Sequence, residues 1–147
     1  MKEINTYLNF GGNCREAMTF YAKCLGGEAH FTPFSSVRGE IPDEIKDLVL
    51  HAELGAGATR LMASDAMPGA PPNQGDNFSI CVNCESEDEI EILFALLGEG
   101  GRVRMALHDS FWGARFGMLT DRFGIHWMLN FDKPKEALEM VLEPIES

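Results

Sequence analysis

His51 and Glu53 stand two residues apart in the run Leu50-His51-Ala52-Glu53-Leu54, where apolar and polar residues alternate. In an extended strand such residues project from one face, so imidazole and carboxylate would lie side by side. Imidazole titrates near neutrality and a carboxylate can orient it. The pair therefore reads as a general base with its orienting acid, or as two ligands of a divalent metal. A catalytic zinc keeps three protein ligands and one open position, so the metal reading needs a third donor to converge on the pair. The plain alternative is a histidine hydrogen-bonded across a sheet beside a solvated glutamate. His126 comes two residues after the turn Asp121-Arg122-Phe123-Gly124, which points to an exposed edge. His30 and His108 belong to no constellation and read as surface residues.

Cys81-Val82-Asn83-Cys84 has the spacing of a redox pair. Thiol activation in such pairs needs the first cysteine at a helix N-terminus, whereas here the pair precedes the expected cap at Ser86. Residues three apart in a strand face opposite ways, so the two sulfurs would not meet. The second half is rich in rings: Phe111, Trp112, Phe116, Phe123 and Trp127. Alternation puts Trp127 in the core. Trp112, beside Gly113, is the candidate for stacking on a flat or cationic ligand. Arg115 would either neutralise an anionic substrate or pair with a surface acid.

The elements that must carry these groups are written twice. An alternating strand over 5–10, a capped helix over 13–25 and the stop Gly26-Gly27 recur as 77–82, 86–97 and Gly100-Gly101. Asn13 with Glu16, and Ser86 with Glu89, have the capping-box spacing. Cys14, Ala17, Met18, Tyr21 and Leu25 form one apolar stripe, and Ile90, Leu93, Phe94 and Leu97 the other. Further strands are expected over 28–34, 47–54 and 59–65, then 102–107, 116–120 and 125–131, with hairpins at Gly55-Ala56-Gly57 and Asp121 to Gly124. The expectation is an α+β fold in one domain: module one over 1–67, a Pro- and Gly-rich linker over 68–75, module two over 76–132 and a C-terminal helix over 133–147 opened by Pro134. Two βαβββ modules would form a curled, eight-stranded mixed sheet around one cup, with the helices on the outer face.

Alternation also says what lines that cup. Ile4, Leu8 and Phe10 would pack under the first helix and leave Asn5, Tyr7 and Asn9 opposite; Phe78, Ile80 and Val82 would leave Asn77, Ser79, Cys81 and Asn83. Leu50, Ala52 and Leu54 oppose His51 and Glu53, while Ile125, Trp127, Leu129 and Phe131 oppose His126, Met128 and Asn130. The face turned from the helices is polar, and Asn5, Tyr7, His51, Glu53, Asn77, Ser79, Trp112, Arg115, His126 and Met128 are the candidate ligand contacts.

Lys and Arg number 12 against 23 Asp and Glu, for a net charge of −11. Such a balance argues against nucleic acid and anionic membrane as partners and favours cationic ligands. No apolar run is long enough to span a membrane, and no basic segment followed by an apolar one opens the chain, so a cytoplasmic address with four reduced cysteines is the expectation.

The opening Tyr7-Leu8-Asn9-Phe10 with Gly12-Asn13-Cys14, the helix Ala17-Met18-Thr19-Phe20-Tyr21 ending in Leu25-Gly26-Gly27, and the turn Asp121 to Gly124 resemble the vicinal oxygen chelate superfamily. That superfamily holds glyoxalase I, extradiol dioxygenases, fosfomycin-modifying enzymes and bleomycin-sequestering proteins. The runs Met62 to Pro68, Phe111-Trp112-Gly113 with Gly117, and Thr120 to Met128 look like its PhnB-like branch, which carries a demethylubiquinone methyltransferase-like label. No glycine-rich turn followed by the acidic residue of a nucleoside cradle supports the label. The resemblance implies a divalent metal on the first and last strands of each module, here Asn5, Asn77, Met128 and a position near Met62. Amides and thioethers replace the usual His, Glu or Gln, so no cofactor is expected at those positions, while a divalent metal stays possible at a displaced site. Two functions follow: a protein that binds a small organic molecule, with the net acidity favouring a cation, or a metal-dependent lyase, isomerase or dioxygenase built on His51 and Glu53; a dimeric scaffold with no ligand is the plain alternative. Open sheet edges make a homodimer the expectation for either.

Overall fold

The computed structural model describes residues 2–134, so the helix expected over 133–147 falls almost wholly outside the described residues. The chain divides into two compact units, Met1–Gln74 and Gly75–Ser147. The first holds β1 (Thr6–Phe10), α1 (Cys14–Leu25), β2 (Glu28–Pro33), β3 (Val49–Ala56) and β4 (Thr59–Asp65). The second holds β5 (Ile80–Asn83), α2 (Glu87–Leu97), β6 (Arg102–Asp109), β7 (Ala114–Thr120) and β8 (His126–Asp132). The eight strands pair as two four-stranded mixed sheets, ordered β1-β4-β3-β2 and β5-β8-β7-β6. In each, the first strand runs parallel to the last and the other pairs are antiparallel. This is the expected α+β fold of two βαβββ modules.

In the first unit α1 lays Cys14, Ala17, Met18 and Tyr21, all fully buried, on β2, β3 and β4. Its start is held differently from the local expectation. Asn13 makes no side-chain cap bond. Asp65, the last residue of β4, takes that place: Oδ1 accepts from the Gly12 and Cys14 amides at 3.0 and 2.9 Å, and Oδ2 accepts from the Val49 amide at 2.9 Å. A carboxylate accepts several bonds where an asparagine side chain offers one oxygen, which explains why the distant group wins.

The second unit keeps the expected capping box. Ser86 Oγ accepts from the Glu89 amide at 3.0 Å, and Glu89 reaches back to the Glu85 amide at 2.8 Å. Ile90, Leu93 and Leu97 are buried, and Phe94 lies so close over Gly117 that a Cβ there would sit 2.7 Å from its ring. Asp121 is buried, with Oδ1 accepting from the Phe123 and Ile125 amides and Oδ2 from Trp127 Nε1 at 2.8 Å. Trp127 is core, as alternation requires.

Both first strands begin later than alternation suggests. Pairing starts at Thr6 with Leu61 and at Ile80 with Trp127, so Asn5, Asn77 and Ser79 precede the ladders, and Ile4 and Phe78 are exposed rather than packed under helices. A register shift opposite Thr32 and Pro33 turns Val49 inward and leaves Leu50, expected in the core, exposed. The first hairpin turns at Gly57-Ala58, with φ +58° at Gly57 and Ala56 paired to Thr59.

Candidate functional site

Tyr7 on β1 and His51 and Glu53 on β3 share the open face of the first sheet, with β4 between them. The Tyr7 hydroxyl is 3.1 Å from His51 Nδ1, and His51 Nε2 is 3.1 Å from Glu53 Oε1. A carboxylate can only accept, so Nε2 carries a hydrogen, and the neutral ring then takes the phenol's hydrogen at Nδ1. Phenol, imidazole and carboxylate thus form a directed chain. The hydrogen bond from His51, followed by the charge of Arg60, holds the Glu53 carboxyl below its ordinary value. His30 is exposed and stands opposite Glu53 on β2.

Arg60 on β4 extends the chain. Its Nη2 lies 3.9 Å from Glu53 and its Nη1 3.5 Å from Glu3, which also accepts from Asn5 Nδ2 at 3.5 Å. Glu3, Asn5, Glu53 and Arg60, with the β3–β4 turn, line a cavity of about 590 Å³. Two carboxylates face one guanidinium, so the cavity is acidic. Alternation along β4 would have placed Arg60 beside Met62 on this face; Glu3, ahead of any strand, left no periodic signal.

The second unit spreads its candidates apart. His126 is not an open edge residue: Nε2 donates to the Gly75 carbonyl at 3.0 Å and Nδ1 accepts from the Thr120 hydroxyl at 2.7 Å, so both nitrogens are used. Arg115 is committed to Glu91 at 2.6 Å and to Asp109 at 3.4 Å, and Lys133 adds a 3.0 Å pair to Asp109. Trp112 is half exposed, edge-on between Phe111 and Phe116. Ser79 and Asn77 lie ahead of β5, and Met128 is half-buried on β8 beside Cys81 and Met118. Cys81 is exposed and Cys84 buried, the opposite faces expected of them, and burial pushes the Cys84 thiol up to about 11.

The metal positions implied by the resemblance do not fit a hard divalent ion. Asn5 and Asn77 lie outside the strands and Met62 and Met128 offer thioethers. His51 and Glu53 converge with the Tyr7 hydroxyl, and no group of three or more His, Cys, Asp or Glu gathers as a metal site among the described residues. The first strand-to-helix turn is equally unsuited to an anionic cofactor, since its Gly12 and Cys14 amides are taken by Asp65. Among the described residues no helix is long and apolar enough to cross a membrane.

The fold defines the class, a protein of two βαβββ modules, each with its own four-stranded mixed sheet. A glyoxalase-related enzyme from Fulvimarina pelagi shares that fold at 15% identity and TM-score 0.56, over 90% of this chain and 89% of its own. The family is narrower: residues 2–130 match the one described as 3-demethylubiquinone-9 3-methyltransferase, and the chain belongs to it. Protein PA1353 from Pseudomonas aeruginosa is 45% identical with TM-score 0.81, over 90% of this chain and 98% of that one. The PhnB protein from Bacillus cereus, described as a putative 3-demethylubiquinone-9 3-methyltransferase, is 28% identical with TM-score 0.70, over 88% and 99%. Protein YjdN from Escherichia coli strain K12 is 29% identical over 144 residues, 88% of this chain and 95% of YjdN.

Proposed function

We propose that this chain is a small-molecule-binding protein of the glyoxalase and bleomycin resistance type whose ligand is a small organic cation seated by Glu3 and Glu53. The observation that carries this reading is the 590 Å³ cavity in which two carboxylates share one guanidinium at 3.5 and 3.9 Å, distances long enough for an entering cation to take either acid. The net charge of −11 supports it by drawing cations and repelling nucleic acid and anionic membrane. The reduced thiols of Cys14, Cys81 and Cys84 suit a reducing cytoplasm, and sheets that end in edge strands suit a homodimer. Calorimetric titration with quaternary ammonium and guanidinium compounds, against carboxylates of matched size, tests the reading. Cations should bind and Glu53→Gln and Glu3→Gln should each weaken them about tenfold, the loss of one charge-assisted contact. Preference for anions, or binding that ignores both variants, would sink it.

The directed chain favours a second reading, an isomerase or lyase in which Tyr7 and His51 move a proton and Glu53 holds the imidazole. Exchange of solvent deuterium into a carbonyl compound, lost in Tyr7→Phe and in His51→Gln, would support it; exchange unchanged in both would remove it.

A further inference from the structure

Met128 on β8 is in register with Cys81 on β5 and with Met118 on β7, and Met118 is in register with Met105 on β6. One row therefore crosses β5, β8 and β7 with a sulfur at every position, while on β6 the register shifts on both sides of Met105. Directly opposed residues project to the same face, and burial agrees. Trp127, Leu129 and Leu119 are buried on the helix side, while Met118 and Met128 are half exposed and Cys81 exposed on the other. Neighbouring strands lie about 4.8 Å apart, so the flexible Met128 and Met118 side chains can lean toward the Cys81 sulfur.

Two nitrogen-bearing side chains next to the row are already engaged. His126 uses both ring nitrogens on Thr120 and Gly75, and the Asn130 amide donates to Asn83 and Asp132. What the face offers is sulfur, and thiolate with thioether selects soft ions over zinc, magnesium or calcium.

We propose that Cys81, Met128 and Met118 form a binding site for a soft monovalent cation, Cu(I) or its redox-inert analogue Ag(I). Binding replaces the Cys81 S–H bond with a sulfur–metal bond and releases one proton, with no change in oxidation state. This site is separate from the carboxylate cavity of the first unit and does not rest on it.

The full reduced chain, titrated anaerobically with Ag(I) and with Cu(I) held by a competing chelator, tests the proposal, with the methionine methyl signals followed by NMR. One ion per chain should bind and shift the methyls of Met118 and Met128, leaving Met67 unmoved. Cys81→Ser and Met128→Leu should each weaken binding at least about tenfold, because losing even a group behind a ligand costs about 10–100-fold. Met128→Leu conserves volume, so the fold survives it, and Cys24→Ser should change nothing. Full binding in Cys81→Ser, loss of binding in Cys24→Ser, or still methyls at Met118 and Met128 with ion bound would each overturn it.

Discussion

The Tyr7 hydroxyl reaches His51 Nδ1 at 3.1 Å across the intervening strand β4, and the far nitrogen of the same ring holds Glu53. Because the bond from His51 is the largest cause of the lowered Glu53 carboxyl, His51→Ala should return that carboxyl toward 4.5, and Arg60→Ala should return it less. Carboxyl-carbon NMR titration reads both. An unmoved Glu53 in His51→Ala would contradict the chain.

Acid stability follows with a definite sign. Glu53 and Asp109 are both held below their ordinary 4.5 and 3.8, Asp109 chiefly by its bond to Lys133 and then by Arg115. Groups lowered in the folded state stabilise fully above the ordinary value and lose that contribution as pH falls through the lowered one. The melting temperature should fall in this window, and less steeply in the double variant Glu53→Gln, Asp109→Asn, as calorimetry against pH would show.

Asp65→Ala leaves the amides of Gly12, Cys14 and Val49 without their acceptor. Each buried unsatisfied group costs about 1–3 kcal/mol, so the loss should be about 3 kcal/mol or more in urea unfolding. Asp65→Asn keeps one oxygen and turns an N–H toward Val49, and should cost about 1–3 kcal/mol. Equal stability of both variants and wild type would show that α1 does not need this anchor.

Asp121→Ala removes the acceptor of the Trp127 indole and of two turn amides. Stability should drop by about 2–3 kcal/mol, and Trp127 emission should shift red as water reaches the ring.

Burial, with Asp65 nearby, pushes the Cys14 thiol from 9.0 to about 12, and burial with Glu89 pushes Cys84 to about 11. Their contribution is whole below 9.0 and is lost as pH rises toward the folded values, because the unfolded chain ionises first. Unfolding measured through that alkaline range should show falling stability, with the slope reduced in Cys84→Ala. In the native protein iodoacetamide should modify exposed Cys81 before buried Cys14 and Cys84.

Much of the fold was legible because its periods are local. The α1 stripe from Cys14 to Tyr21, the Ser86 and Glu89 box and the strand Thr59–Asp65 all follow from spacing along one element. The starts of β1 and β5 were not, since Ile4 and Phe78 alternate correctly yet have no strand to pair with. The bulge that exposes Leu50 depends on the partner strand and leaves no mark in the run itself.

The sequence by itself determined two βαβββ modules, a polar face bearing Tyr7, His51 and Glu53, and a strongly acidic chain, because backbone periodicity and charge are properties of neighbouring residues. Only the tertiary structure decided which side chains meet. Strand order brings Tyr7 over β4 to His51, Asp65 to the start of α1, and Cys81, Met128 and Met118 into one row. Register between strands distant in the chain is set by the packing of both modules' cores, and no local pattern encodes it.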